Sequence, residues 1–294
     1  MTSIFIPGNH VITLPQFLLL PLLLVSLLAG NARGQAVYKE EDTKFYSSIV
    51  QYARTQNLQD RPIEEIVYEV GKQFIGTPYV AHTLETTSNE AFVVNLKQVD
   101  CTTFVEYCLA IGRCVKTNNV SFDNFCNQLE MIRYRGGKKI DYASRLHYMT
   151  DWLHEHEDAG IVKNVSKECK GVEITKDIHY MTTHRDKYSQ LSDSNQYEQI
   201  LETEDRISAL PYFYIPRENV NQVDCIRNGD IIAITTSIAS LDVVHVGLAM
   251  VQKDSVYLLN ASSINKKVEI SNTSLYTYLK KKSFMTGVVV IRPL

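Results

Sequence analysis

Apolar positions recur at three- and four-residue steps through most of the chain, then cluster in short β-branched runs over its last third. The segment EEDTKFYSSIVQYARTQ sets Phe45, Ile49, Val50 and Tyr52 on a helical period. A second helix is expected in DRPIEEIVYEVGKQFIGTPY, with Asp60 as its cap, Pro62 in its first turn, and Gly76 and Pro78 as its stop. A third should run from about Thr102 to Val115, and a fourth from about Phe122, behind Ser121, to Met131. SRLHYMTDWLHEHEDAG reads as a fifth helix, stopped at Gly160, and NQYEQILETEDRISAL as a sixth, ended by Pro211. The period then shortens: GDIIAITTS, DVVHVGLAM, SVYLLNASS and FMTGVVVIRPL are strands separated by polar turns. Helices followed by strands predict an α+β fold with an antiparallel sheet. The stretch from about Tyr134 to Pro216 is long for a connection and is read as a helical insertion that walls part of a cleft.

The leader differs from all of this. LPQFLLLPLLLVSLLAG, Leu14 to Gly30, is apolar, holds Pro21, and is followed by the small residues Ala32, Gly34 and Ala36. It is short for a bilayer span and reads as a secretory signal over residues 1–34, although no Lys or Arg precedes it. An uncleaved anchor is the competing reading. The expectation is one domain over residues 35–294 that works outside the cytoplasm, free of the membrane once the signal is cut.

Length and composition add boundaries. The 294 residues carry a formal charge of -3, which gives no electrostatic reason for a nucleic-acid partner. The 6 cysteines form no CxxC pair, so neither a zinc ribbon nor a disulfide scaffold is indicated, and their pairing is not readable from sequence. His147, His154 and His156 lack an HExxH pattern, and residues two apart on a helix do not share a face. No metal, cofactor or protein partner is implied.

Cys101 stands where a helix should begin, with Asp100 placed to cap it. The helix dipole favours a thiolate there and the Asp100 charge opposes it, so the sign of the shift stays open. Alone, Cys101 is better explained as a core residue, because free cysteines are among the most buried side chains. Its partners change that. His245 lies in a strand-like run with Gly247 on the same face, leaving room beside the ring, and Asn260 lies in the next strand. A hairpin turning near Gln252–Asp254 would set Asn260 opposite His245 or nearly so, close enough for its amide oxygen to accept an imidazole N–H. Together the three suit a Cys-His-Asn relay. Trp152 reads as core.

The ordered set GTPYV (76–80), DCTTFVE (100–106), NGDIIAI (228–234), HVGLAM (245–250) and LLNASS (258–263) resembles the NlpC-like branch of the papain-like cysteine peptidases, which cut peptidoglycan. The interior RYRGGKKIDYASRLHYMTDW (133–152) resembles, within that superfamily, the N-acetylmuramoyl-L-alanine amidase-like branch. The resemblance implies an NlpC-like fold with Cys101 as nucleophile at a helix N-terminus, His245 as base, Asn260 as the orienting residue, and Tyr79 beside the sulfur. Relatives often carry histidine where Asn260 stands. Asp100, Arg133, Arg135, Arg145, His147 and Tyr148 are candidates for binding the substrate, arginine being suited to muropeptide carboxylates. The expected activity is a periplasmic or secreted bacterial cysteine amidase that cleaves the muramic acid–L-Ala amide of peptidoglycan fragments through a thioester. A stem-peptide endopeptidase and a catalytically silent muropeptide binder stay open. An active enzyme is expected to hold a Cys101 hyperreactive at mildly acidic pH.

Overall fold

The computed structural model describes residues 36–85, 89–222 and 224–294; the expected signal segment lies outside them. The N-terminal pattern folds as four helices: α1 (Glu40–Thr55), α2 (Ile63–Gln73), α3 (Cys101–Lys116) and α4 (Phe122–Arg133). Two caps fall where the sequence puts them. Asp100 accepts from the Thr103 N–H at the head of α3, and Ser121 accepts from the Asn124 N–H at the head of α4. Asp60 is not the cap of α2; it sits in a 3₁₀ turn, Leu58–Asp60, and Pro62 takes the cap position without a side-chain bond.

The segment 134–216 is more than helical. It holds α5 (Met149–Asp158), β1 (Val162–Asn164), β2 (Val172–Ile174), α6 (Tyr180–Thr183), α7 (Ser194–Ser208) and β3 (Tyr212–Pro216). Its helices and turns bury a small core of their own around Tyr142, Tyr148, Met181, Leu191 and Ile200. Its strands join the main sheet, so the expected helical insertion is also a sheet extension.

The C-terminal part supplies β4 (Ile231–Thr236), β5 (Val243–Gln252), β6 (Ser255–Ser262), β7 (Lys267–Ile270), α8 (Leu275–Lys280) and β8 (Met285–Pro293). The sheet runs β2-β3-β8-β4-β5-β6-β7, with β1 also pairing β8, and every pairing between strands is antiparallel. Strand β4 is buried along its length because both faces are covered. Ile231 and Ala233 point to the core shared with α2 and α3, whereas Ile232 and Ile234 point to a second core closed by Val220, Leu275 and Leu279. That two-sided burial is why GDIIAITTS reads as a continuous apolar run rather than an alternating one. A disulfide between Cys169 and Cys225 ties the 134–216 segment to the chain leading into β4. Among the described residues, no helix is long and apolar enough to cross a membrane.

Candidate active site

The head of α3 and the start of β5 meet at a cavity of about 190 Å³ that Cys101, Thr102 and His245 line together. Cys101 is the first residue of α3 and half-buried. Asp100 and Thr103 form a reciprocal capping box: the Asp100 carboxylate accepts from the Thr103 N–H at 2.8 Å, and the Thr103 hydroxyl accepts from the Asp100 N–H at 2.9 Å. The box consumes the Thr103 N–H, so the N–H groups of Cys101 and Thr102 remain without helical acceptors at the cavity. The Cys101 sulfur is hydrogen-bonded by the backbone of Val246, the residue after His245, which brings α3 and β5 into contact at the thiol.

The charge state of the thiol is now signed. Burial, and then the Asp100 carboxylate, push the Cys101 thiol up to about 11; the bonds from Val246, Thr102 and its own backbone only offset part of this. Burial and the Asp100 carboxylate thus work against the thiol expected to be hyperreactive at mildly acidic pH. Burial holds His245 below the ordinary imidazole range, opposed by its bond to Asn260.

That bond is the firmest contact in the site. His245 Nε2 donates to Asn260 Oδ1 at 2.9 Å. The orientation of the amide is fixed from behind, because Asn260 Nδ2 donates to the carbonyls of Leu258 and Glu269 at 3.1 and 3.4 Å. An amide whose nitrogen is used in this way can offer only its oxygen to the ring, so Nε2 carries the proton and Nδ1 is left as the acceptor. The hairpin register is two residues from setting Asn260 directly opposite His245: Leu248 pairs with Leu259 and Gln252 with Ser255, so Asn260 falls opposite Gly247 and its contact with His245 is diagonal. Gly247 is the reason the strands tolerate it, since a Cβ there would stand 2.9 Å from the Asn260 Cβ.

The other anticipated residues divide. Burial, and then its proximity to Cys101 and Asp100, pushes the Tyr79 phenol up to about 12. His147 and Tyr148 line the cavity. His147 Nε2 donates to the Tyr142 carbonyl at 2.8 Å, and burial with the Arg145 charge brings its pKa down to about 3. Tyr148 donates to Glu204 at 2.6 Å. Asp100 has Oδ1 committed to its cap.

The three arginines are corrected to structural roles. Arg133 is fully buried and bonded to Glu106 and to the Val93 carbonyl. Arg135 pairs with Asp151, and Arg145 with Glu90 while lying over the Tyr142 ring. A buried guanidinium needs an acid partner, which Arg133 and Arg145 already have inside the protein, and the half-buried Arg135 is likewise paired. None of the three lines the cavity. Trp152 is buried in the core as expected, with an edge on the cavity wall.

Several residues escaped sequence reasoning. Tyr180, Met181 and Tyr188 add to the apolar and aromatic wall of the cavity. Asp242, just ahead of β5, also lines it, but its carboxylate accepts from the N–H groups of Thr150 and Val243 and so caps α5. Tyr278 of α8 lies nearly parallel to the His245 ring, 6.3 Å away at 17°. The signal in NTSLYTYLKK was there, with Ser274 before Leu275 and Leu279 at helical spacing, but the helix is a turn and a half long. Among the described residues, no group of three His, Cys, Asp or Glu side chains is arranged to hold a metal ion.

No curated protein matches the chain. A crystal structure of an N-acetylmuramoyl-L-alanine amidase from Bacteroides uniformis is similar at 35% identity and TM-score 0.75, covering 79% of this chain and 98% of the other. A Bacteroides fragilis protein named provisionally as a xylanase is similar at 37% identity and TM-score 0.72, over 76% and 98% of the two chains. A Legionella pneumophila protein at 21% identity shares the fold, with TM-score 0.64 over 86% and 95%. The N-acetylmuramoyl-L-alanine amidase-like family model matches residues 69–288, a span that includes α3, β5 and β6 entire. The chain belongs to the N-acetylmuramoyl-L-alanine amidase-like family and is an amidase-like hydrolase.

Proposed function

We propose that the protein is a cysteine amidase of peptidoglycan fragments that cleaves the amide between muramic acid and L-alanine. The observation that carries this is the His245–Asn260 hydrogen bond, which leaves Nδ1 as the proton acceptor in the cavity that Cys101 lines. Cys101 Sγ attacks the lactyl carbonyl carbon as its proton passes to His245 Nδ1, forming the C–S bond. The N–H groups of Cys101 and Thr102 stabilise the oxyanion at the positive end of α3. His245 returns the proton to the departing L-alanine nitrogen as the C–N bond breaks. Water, deprotonated by the same imidazole, then adds to the thioester carbonyl carbon; the C–S bond breaks, the imidazolium returns the proton to Cys101 Sγ, and the muramic acid carboxyl group is released. The order and spacing of these residues support an NlpC-like, papain-like site, with Tyr79 beside the sulfur.

The xylanase name carried by one relative finds no counterpart in this cavity. Glycoside hydrolysis needs two carboxyl groups across the scissile bond, and the one acid lining the cavity, Asp242, is spent on capping α5. The apolar leader and the Cys169–Cys225 bridge together support export to the periplasm or beyond.

The test is to incubate the full protein and a Cys101→Ala variant with defined muropeptides and weigh the products. Release of an intact stem peptide by the wild type alone is the expected result. A cut within the stem would replace this reading by endopeptidase activity, and binding without any product would replace it by a silent binder.

A further inference from the structure

His245 separates two cavities of different chemistry. On the thiol side lies the cavity already described, walled by Tyr148, Met149, Tyr180, Met181 and Tyr188 and holding no Lys or Arg. On the far side lies a larger one, about 580 Å³, lined among others by Asn260, Ser262, Asn265, Tyr278, Lys281 and Lys282. Val244 and His245 line both, so the two form consecutive stations along one path over the imidazole.

The second station is positively charged. Lys281 and Lys282 follow directly on α8 and are exposed, and among the described residues no carboxylate stands within ion-pair distance of either. Lys281 lies over the Tyr278 ring, 5.5 Å from its centre, which holds the ammonium near the ring that packs on His245. One acid, Glu269, shares the cavity, and its carboxylate accepts from Asn265 Nδ2. Two ammonium groups against one occupied carboxylate leave a net attraction for an anion.

Acyl transfer gives the two stations a direction. The acyl part of the substrate must sit on the sulfur, and the leaving amine must sit on the imidazole that protonates it. We infer that the cavity bearing Lys281 and Lys282 is the leaving-group subsite, and that it binds the carboxylates of an acidic peptide released by the reaction. The thiol-side cavity then takes the uncharged acyl portion, for which aromatic walls without a cation are suited, as for the face of a sugar. This rests on the amidase reading above, in which the acyl part is the muramyl lactate and the leaving part is the acidic stem.

The test compares two muropeptides with the wild type and with a Lys281→Gln/Lys282→Gln variant. One substrate has free stem carboxylates; in the other they are primary amides. The wild type should favour the acidic form by about tenfold in KM, since each exposed charge pair is worth up to about fivefold. The variant should lose most of that preference, and the wild-type preference should shrink in about 1 M salt, where charges are screened within ~3 Å. A Lys281→Glu/Lys282→Glu variant should reverse it. An equal KM for both substrates in the wild type, or a preference that survives in the glutamine variant, overturns the inference. Calorimetry with the free acidic stem peptide on Cys101→Ala protein, with and without the lysines, keeps the two readings apart. If nothing is cleaved but the peptide binds about tenfold better with the lysines present, the amidase reading fails and the anionic subsite stands. If cleavage is as proposed and the lysines make no difference to peptide binding, the subsite fails alone.

Discussion

Replacing Gly247 by alanine would place a methyl group 2.8 Å from the Leu259 carbonyl oxygen, 2.9 Å from the Asn260 Cβ and 2.9 Å from Leu258 Cδ1. Real Cβ contacts begin at roughly 3.4 Å, so β6 must retreat by about half an ångström, and a packed sheet interior resists that. Overpacking of this kind costs about 1–3 kcal/mol, and about 2–4 °C of Tm for each kcal/mol in a domain of this size. The effect on rate follows from where the strain goes. Asn260 is carried on the strand that moves, and its contact with His245 Nε2 has little slack at 2.9 Å. A retreat of half an ångström takes it to the edge of hydrogen bonding and releases the ring. Misplacement of about 1 Å costs on the order of a hundredfold in rate, so about tenfold in kcat is expected here, with KM little changed. Stem-peptide release by Gly247→Ala and wild-type protein, measured at a temperature where both are folded, reads this directly. The double variant Gly247→Ala/Asn260→Ala separates strain on Asn260 from general damage, because sites acting through one contact are not additive. It should be no slower than Asn260→Ala alone. Full kcat in Gly247→Ala, or a loss that adds in full to that of Asn260→Ala, would refute the reasoning.

Because burial holds His245 below the usual imidazole range, its proton-accepting form persists under acidic conditions, and the acid limb of kcat/KM should lie below pH ~6.5. Asn260 opposes that shift, so Asn260→Ala should move the limb further down even as the rate falls; a limb at or above the ordinary value contradicts the assignment. Arg133→Met strands the buried Glu106 carboxylate and should cost about 3–5 kcal/mol in chemical denaturation, with KM for the muropeptide unaltered. Removing the Cys169–Cys225 bridge by Cys169→Ser/Cys225→Ser frees a loop with a sequence separation of 56 and should cost about 2–4 kcal/mol, read as a lower urea midpoint.

What the chain discloses about itself depends on how far the information has to travel. Caps are local, and Asp100 and Ser121 are legible because the acceptor and the N–H it serves lie three residues apart. Strands β4, β5, β6 and β8 are legible because they are long and rich in β-branched residues. Strands β1 and β2 have 3 residues each and gain their identity only from distant partners, so no local pattern marks them. The arginines fail for the same reason. RYRGG displays charge, but the acids that neutralise Arg133 and Arg145 are Glu106 and Glu90, 27 and 55 residues away. The His245–Asn260 contact forms even though the hairpin register is two residues from setting them directly opposite, since a diagonal neighbour across the strands is still within reach of a carboxamide.

The site resolves a tension that the sequence could only pose, between a helix end that favours an anion at Cys101 and an aspartate that opposes one. Burial and the Asp100 charge push the thiol up, and burial pulls the imidazole below its ordinary range, so both pressures favour the uncharged pair. A resting ion pair would need both pressures reversed. With Nε2–H committed to Asn260, Nδ1 is the nitrogen that would receive the thiol proton as the sulfur attacks in the proposed reaction. In the proposed reaction the negative charge would then pass from sulfur to the carbonyl oxygen, where the N–H groups of Cys101 and Thr102 and the helix dipole would meet it. Asp100 raises the energy of the thiolate, and the same residue caps the helix mouth that would face the oxyanion in the proposed reaction. In the proposed reaction the helix end would act on the transition state rather than on the resting thiol, which is the arrangement that accelerates a reaction instead of merely storing a reactive group.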